Sequence, residues 1–561
     1  MKSNTVFLVF ILFLIAGISQ GQIPRNDQKP AYRTEVTAVK GMAVTSHPLA
    51  TQAAIDILKL GGSAIDAAIA ANAVLGLVNP MSCGLGSDLK ALVWDSKTKQ
   101  INGLDASGMA PAALTPAYLK KNKLKEIPQT GPLSIIVPGC AGGWDALHKK
   151  YGKLSTEEIL QPAISYAEEG IPLSESAVEQ WRKQSELYKT QANFAAVFMP
   201  KGRLPEKGEL FQNKALAQTY RHLAEAGMMS FYDGELAAEM VRLIDSCGGI
   251  IQTDDFNSYK SEWVKPITTN YRGFDIWQMP PNSLGYSILE TLNMLENSNM
   301  ATASLGGKAS IHQIVEMQKI ALEDSYRWLH DETPMGLEKL IDKTYASERM
   351  KAFQPGKAGK SVVSAFSGDA VAFVTIADKE GNMIALIQGN DQRSGYSITS
   401  TLLGLMLQSH TAGYTIRSGK PNSLAPGRRP NSNLLPAFIT KDGQPWLSLC
   451  FGDGALQIQG QIQMALNLID FNMPLYRAAE AVIFLHEAPE KGQNLPANET
   501  GWIKFEPGTN YETIRELMKM GHRIRFGNIS AGGMGAILRN PKSGVYSGIS
   551  TLGAEGQAAG Y

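Results

Sequence analysis

The stretch Phe366 to Asn390, FSGDAVAFVTIADKEGNMIALIQGN, limits the possible folds more than any other. An alternating apolar run enters an Asp378-Lys-Glu-Gly-Asn382 turn and leaves as a second apolar run. Two strand-like runs joined by a short turn containing Gly and Asn read as a β-hairpin. Similar strand-and-turn patterns follow: GQPWLSLCFGDGA, then the amphipathic helix IQGQIQMALNLIDF, then closing hairpins. The last residues, GAEGQAAGY, read as a frayed tail.

The N-terminal half has a different texture. GMAVTSHPLATQAAIDILKLGGSAIDAAIAANAVLGLV predicts a short strand and a helix from about Leu49 to Leu60. Gly61-Gly62 stops that helix at the C-cap position. A second, Ala-rich helix from Ala64 to Leu77 is apolar all round, which predicts that it is buried. His47 reads as part of the turn before the first helix. SCGLGSDLKALVWDSKTKQINGLDASGMAP predicts a Gly-rich turn and a hairpin, with no helix start or Lys-Ser/Thr to make a phosphate loop. Residues 141–350 are mostly helical by period, and Ser155-x-x-Glu158 matches a capping box. Lys351 to Gly368 reads as a surface connector.

At 561 residues the chain exceeds the size of one ordinary domain. Its net charge of +1, without a long basic or acidic run, argues against nucleic acid or an anionic membrane as a partner. Lys2, the apolar run Val6 to Ile18 and Ser19-Gln20-Gly21 describe a secretory signal peptide, cleaved after Gly21. The run is too short for a spanning helix, so the expected location is secreted or periplasmic with no membrane span afterwards. Cys83, Cys140, Cys247 and Cys450 lie far apart in apolar or Gly-rich contexts that suit buried thiols, although one or two disulfides also fit an oxidising compartment. Eight histidines without an H-x-x-x-H pair, and no Cys cluster, give no metal or cofactor signal.

Five blocks in order carry a resemblance to a known family: residues 41–71, 137–170, 377–388 (ADKEGNMIALIQ), 421–439 (PNSLAPGRRPNSNLLPAFI) and 467–481. Together they resemble the γ-glutamyltranspeptidase family, nearest its acylase-like branch. The resemblance implies an α+β fold, an N-terminal-nucleophile αββα sandwich with two stacked sheets between helical layers. It implies a signal peptide at 1–21, a large-subunit-like region at 22–368 and a small-subunit-like region at 369–561, the last two forming one structural unit. In the family a Thr cuts the bond before itself, its hydroxyl becomes the nucleophile and its freed amine the base. Two backbone N–H groups at a Gly-Gly pair stabilise the oxyanion.

Each of these parts lands on an unsuitable residue. The nucleophile position falls on Val371, or on Ala370 if one residue is inserted, and neither can attack a carbonyl. The orienting hydroxyl falls on Gly389. The Arg that grips the substrate carboxylate falls on Ser107, and the position two residues later, where the acylase branch often has Arg, is Met109. The oxyanion pair falls on Asp453-Gly454, where a carboxylate would repel the developing charge unless its side chain turns away. Ala412-Gly413 replaces the acidic pair of the transpeptidases. Ser364 and Ser367 read as connector residues, and Thr375 as a strand residue. Asn390, Asp391, Gly395, Ser432 and Asn433 fall on the degenerate pocket, where they either bind an amino acid or peptide or are ordinary solvated turn residues. Two functions stand: a non-catalytic secreted homologue that binds a ligand or partner, or an active γ-glutamyl or N-acyl hydrolase/transferase with an unrecognised nucleophile.

Overall fold

The computed structural model describes residues 33–191, 193–280, 282–298, 300, 306–330, 336–361, 371–390, 395–420, 422–488, 499–506, 508–529, 532–551 and 555–561. The hairpin expected around Asp378 forms from the strands Ala372–Ala377 and Met383–Gly389, paired antiparallel from Ala372–Gln388 to Ala377–Met383. Its turn requires a positive φ, and Gly381 supplies it at 87°. Asp378 holds the turn closed. One carboxylate oxygen accepts the N–H groups of Glu380 and Asn382, and the other accepts the Ala64 N–H at 3.0 Å, at the start of the helix Ala64–Val78.

This hairpin lies at the centre of a seven-stranded antiparallel sheet with Met42–Thr45 on one side and Asp88–Asp95 on the other. A second seven-stranded antiparallel sheet is built around Gln444–Phe451, Ala437–Lys441 and Met534–Arg539. Period-two alternation assigns the faces. Ala372, Val374 and Ile376 pack toward the helices, whereas Val371, Phe373 and Ala377 join Phe438, Cys450 and Ile537 of the other sheet in a core between the two. Inside that layer the Thr375 and Ser448 hydroxyls meet at 2.5 Å, which gives Thr375 a structural role. A further core lies on the outer side of each sheet, under helices. The result is four layers, as expected of an αββα sandwich. Each sheet takes strands from both sides of residue 368.

The local signals hold. The first helix runs Pro48–Leu60 with His47 as N-cap, its Nδ1 accepting the Leu49 N–H at 3.2 Å, and ends at Gly61 with φ 103°. Every residue of Ala64–Val78 is buried, and Ser155 and Glu158 form the expected capping box. All four cysteines are free thiols, three of them buried.

Two expectations fail. The tail is not frayed: Gln557–Gly560 pairs with Met42–Thr45, and Tyr561 is bonded in both directions, to Lys40 and Gly41. Small side chains at the end of the chain let it complete a sheet edge that would otherwise present unpaired N–H and C=O groups. Within the helical region lie the strands Glu262–Val264, Ile267–Tyr271 and Phe274–Gln278, which extend the margins of both sheets. Among the described residues no helix is long and apolar enough to cross a membrane.

Candidate functional site

The site lies where the central hairpin meets the end of Gln444–Phe451. The Val371 N–H donates to the Gly452 carbonyl at 3.1 Å, and the Val371 side chain is 6% exposed in the layer between the sheets. Gly389 stands beside it. A Cβ on Gly389 would lie 2.7 Å from Val371 Cγ1 and 3.2 Å from Leu434 Cδ2. The two positions are therefore one packing solution, in which the valine fills space that a side chain at 389 would need.

Val371, Gly389, Asn390, Ser432, Asn433 and Gly454 converge on a cavity of about 20 Å³. That is room for about one water. Three buried polar atoms on its walls have no hydrogen-bond partner: Asn390 Oδ1, Asn433 Oδ1 and Gln457 Nε2. The other ends of two of these side chains are held, Asn390 Nδ2 by the Met81 carbonyl and Gln457 Oε1 by the Leu435 N–H. Two acceptors and one donor on residues that line the cavity are thus buried without partners. Leaving a buried polar atom unpaired costs about 1–3 kcal/mol.

Four cavity residues escaped the sequence reading: Leu434, Gln457, Asp88 and His410. Asp88 Oδ2 lies 2.7 Å from His410 Nδ1, and both side chains are buried. Asp88 Oδ1 accepts from the Gly108 N–H at 2.5 Å and from the Gln408 amide. His410 Nε2 lies 3.2 Å from the Asn431 carbonyl, so both ring nitrogens are engaged. Lys90, on the same face of the strand as Asp88, is fully buried and pairs with Asp105 at 3.4 Å. Burial pushes the Asp105 carboxyl pKa upward, but Lys90, Arg429 and hydrogen bonds from Ser107 together outweigh it and hold the pKa below the usual range. The available signal was the same-face spacing of Asp88 and Lys90 in an otherwise apolar strand, since buried charges require partners.

Ser107 is buried beside this network. Its carbonyl accepts from the Tyr259 hydroxyl at 3.2 Å and from the Arg429 guanidinium. Arg429 also donates to the Lys260 carbonyl and lies over the Tyr259 ring at 5.6 Å, so it braces two loops. Asp453 turns its carboxylate onto the helix that follows it. The carboxylate caps the helix Gly454–Ile469, accepting the N–H groups of Ala455 at 3.0 Å and Leu456 at 3.4 Å. Burial raises its pKa despite those bonds.

Met109 and Gly395 are not among the cavity-lining residues. Met109 forms a short antiparallel bridge with Val137, and the Gly395 carbonyl accepts from Gln191 Nε2 at 2.7 Å. Ala370, Asp391, Ser364 and Ser367 lie outside the described residues.

Comparison with known proteins agrees with this architecture. The profile of the family described as Gamma-glutamyltranspeptidase matches residues 50–561. The chain is 32% identical over 492 residues to the Glutathione hydrolase-like YwrD proenzyme of Bacillus subtilis (strain 168), covering 87% of this chain and 92% of that one. It is 29% identical to the Acylase ACY 1 proenzyme of Pseudomonas sp. (strain V22), over 95% of this chain and 96% of that one. The crystal structure of cephalosporin acylase from Bacillus halodurans superposes with a TM-score of 0.85 at 32% identity, covering 96% of this chain and 99% of that one. The chain belongs to the gamma-glutamyltranspeptidase family.

Proposed function

We propose that this protein is a catalytically degenerate member of its family. It is exported through residues 1–21, stays a single polypeptide, and binds an amino acid, peptide or partner without turning it over. The observation that carries this reading is the packing of Val371, where the ungapped family match puts the nucleophile, into space that a side chain at 389 would need; neither it nor Ala370, the position if one residue is inserted, can attack a carbonyl. Regions 22–368 and 369–561 would then remain covalently joined as one αββα unit. The three unpartnered polar atoms of the lining residues favour retained binding, and an occupant larger than one water requires the lining to open.

A second reading has one observation behind it. Ser432 lines the same cavity as the Asp88–His410 pair, and a serine and an aspartate-held imidazole are parts for acyl transfer, provided His410 Nε2 leaves the Asn431 carbonyl to take the serine proton. A denaturing gel and a γ-glutamyl anilide assay separate the two. Degeneracy predicts one band and no turnover. Two fragments cut near residue 370, or turnover abolished by Ser432→Ala, would overturn it.

A further inference from the structure

On the outer side of the second sheet the helix Lys308–His330 carries His312 and Glu316 one turn apart. The turn after the helix Tyr511–Lys519 brings His522 against them. All three are buried, and one donor atom from each lies within 4.8 Å of the others. His522 Nε2 is 2.7 Å from His312 Nδ1 and 4.0 Å from Glu316 Oε1.

The groups behind these atoms aim them inward. The Gln354 carbonyl lies 2.8 Å from His312 Nε2, so the proton belongs there and the lone pair is on Nδ1, which faces the cluster. Glu316 Oε2 accepts the Gly359 N–H at 2.9 Å, leaving Oε1 on the cluster side. Nearby, His486 repeats the pattern: its Nε2 faces the Thr500 carbonyl at 3.0 Å and its Nδ1 is buried without a partner.

We propose that His312, Glu316 and His522 bind a divalent first-row transition-metal ion, Zn²⁺ by donor preference, which ties the helix Lys308–His330 to the segment after Tyr511–Lys519. Two imidazoles and a carboxylate form a common zinc donor set. Tetrahedral Zn²⁺ with bonds of about 2.0–2.1 Å separates its donors by roughly 3.3 Å. The 2.7 Å contact must open and the 4.0 Å contact must close by similar amounts, within reach of side-chain rotation. Without an ion, the His522 Nε2–H donates to His312 Nδ1. Binding moves that proton to His522 Nδ1, with no net release.

Lys319 is the resident competitor, with Nζ 2.7 Å from Glu316 Oε1 and 3.0 Å from the Gly359 carbonyl. An incoming ion displaces it from the carboxylate but not from the carbonyl. The remaining repulsion sets the affinity below that of an unopposed site.

The test uses tag-free full-length protein dialysed against Zn²⁺ or Co²⁺. Elemental analysis should find one ion per chain, Co²⁺ should give the visible bands of a tetrahedral site, and Zn²⁺ should raise Tm. Glu316→Gln and His522→Gln, checked for folding by circular dichroism, should weaken binding by at least about tenfold. Lys319→Met should tighten it. A folded wild-type chain that takes up no ion has only a hydrogen-bonded histidine pair, and the proposal fails. It fails equally if the Gln variants bind like wild type or if Lys319→Met binds no tighter.

Discussion

Val371 and Gly389 sit side by side at the end of the central hairpin with no space for another carbon between them: a Cβ on the glycine would approach Val371 Cγ1 to 2.7 Å. Gly389→Ala should therefore overpack the site and destabilise the chain by about 1–3 kcal/mol. Val371→Ala should relieve the clash. A double-mutant cycle in urea should give a coupling of about 1 kcal/mol or more, whereas simple additivity would mean that the two side chains do not compete for one space.

Restoring the hydroxyl alone should not restore chemistry. Val371→Thr is nearly isosteric, so the fold should survive, but on the proposed reading positions 389 and 107 still lack the orienting and substrate-gripping groups. The expected result is one band on a denaturing gel and no release of anilide from a γ-glutamyl substrate. Measurable turnover by this single variant would show that the other departures matter less than their positions imply.

The Asp88–His410 pair carries a structural load that surface pairs do not. Asp88→Ala removes the acceptor from His410, Gly108 and Gln408 at once, and breaking a buried pair in this way costs about 3–5 kcal/mol. Lys183→Gln breaks the exposed Lys183–Glu179 pair and should cost far less, because solvent screens that pair. Urea titrations of the two variants should differ by that margin.

Acid should weaken the fold in part through His486. Burial pushes its pKa down to about 3, against about 6.5 in the unfolded chain. Above pH 6.5 neither state is protonated and the histidine has no effect. Between pH 6.5 and 3 the unfolded state takes up a proton that the folded state refuses, so stability falls as pH falls. At pH 5 the loss is about 2 kcal/mol. His486→Gln should show a correspondingly shallower decline in unfolding free energy from pH 7.5 to 5.

What could be read from the sequence was either local or carried by the family resemblance. The hairpin at Asp378, the stop at Gly61-Gly62 and the box at Ser155 depend on residues within a few positions of one another, where propensity and capping act directly. The cavity partners were hidden because Asp88 and His410 lie 322 positions apart. Nothing near Asp88 announces which distant group will neutralise it. The turned carboxylate of Asp453 escaped for a different reason. Whether it faced the oxyanion position or the first turn of its own helix depended on a rotamer, and the unpaired N–H groups of Ala455 and Leu456 decided it.

The pairing of Gln557–Gly560 with Met42–Thr45 also bears on how the molecule is made. A ribosome must pass residue 560 before the early strand can meet its outer neighbour. Until then that margin stays open to stray β-pairing.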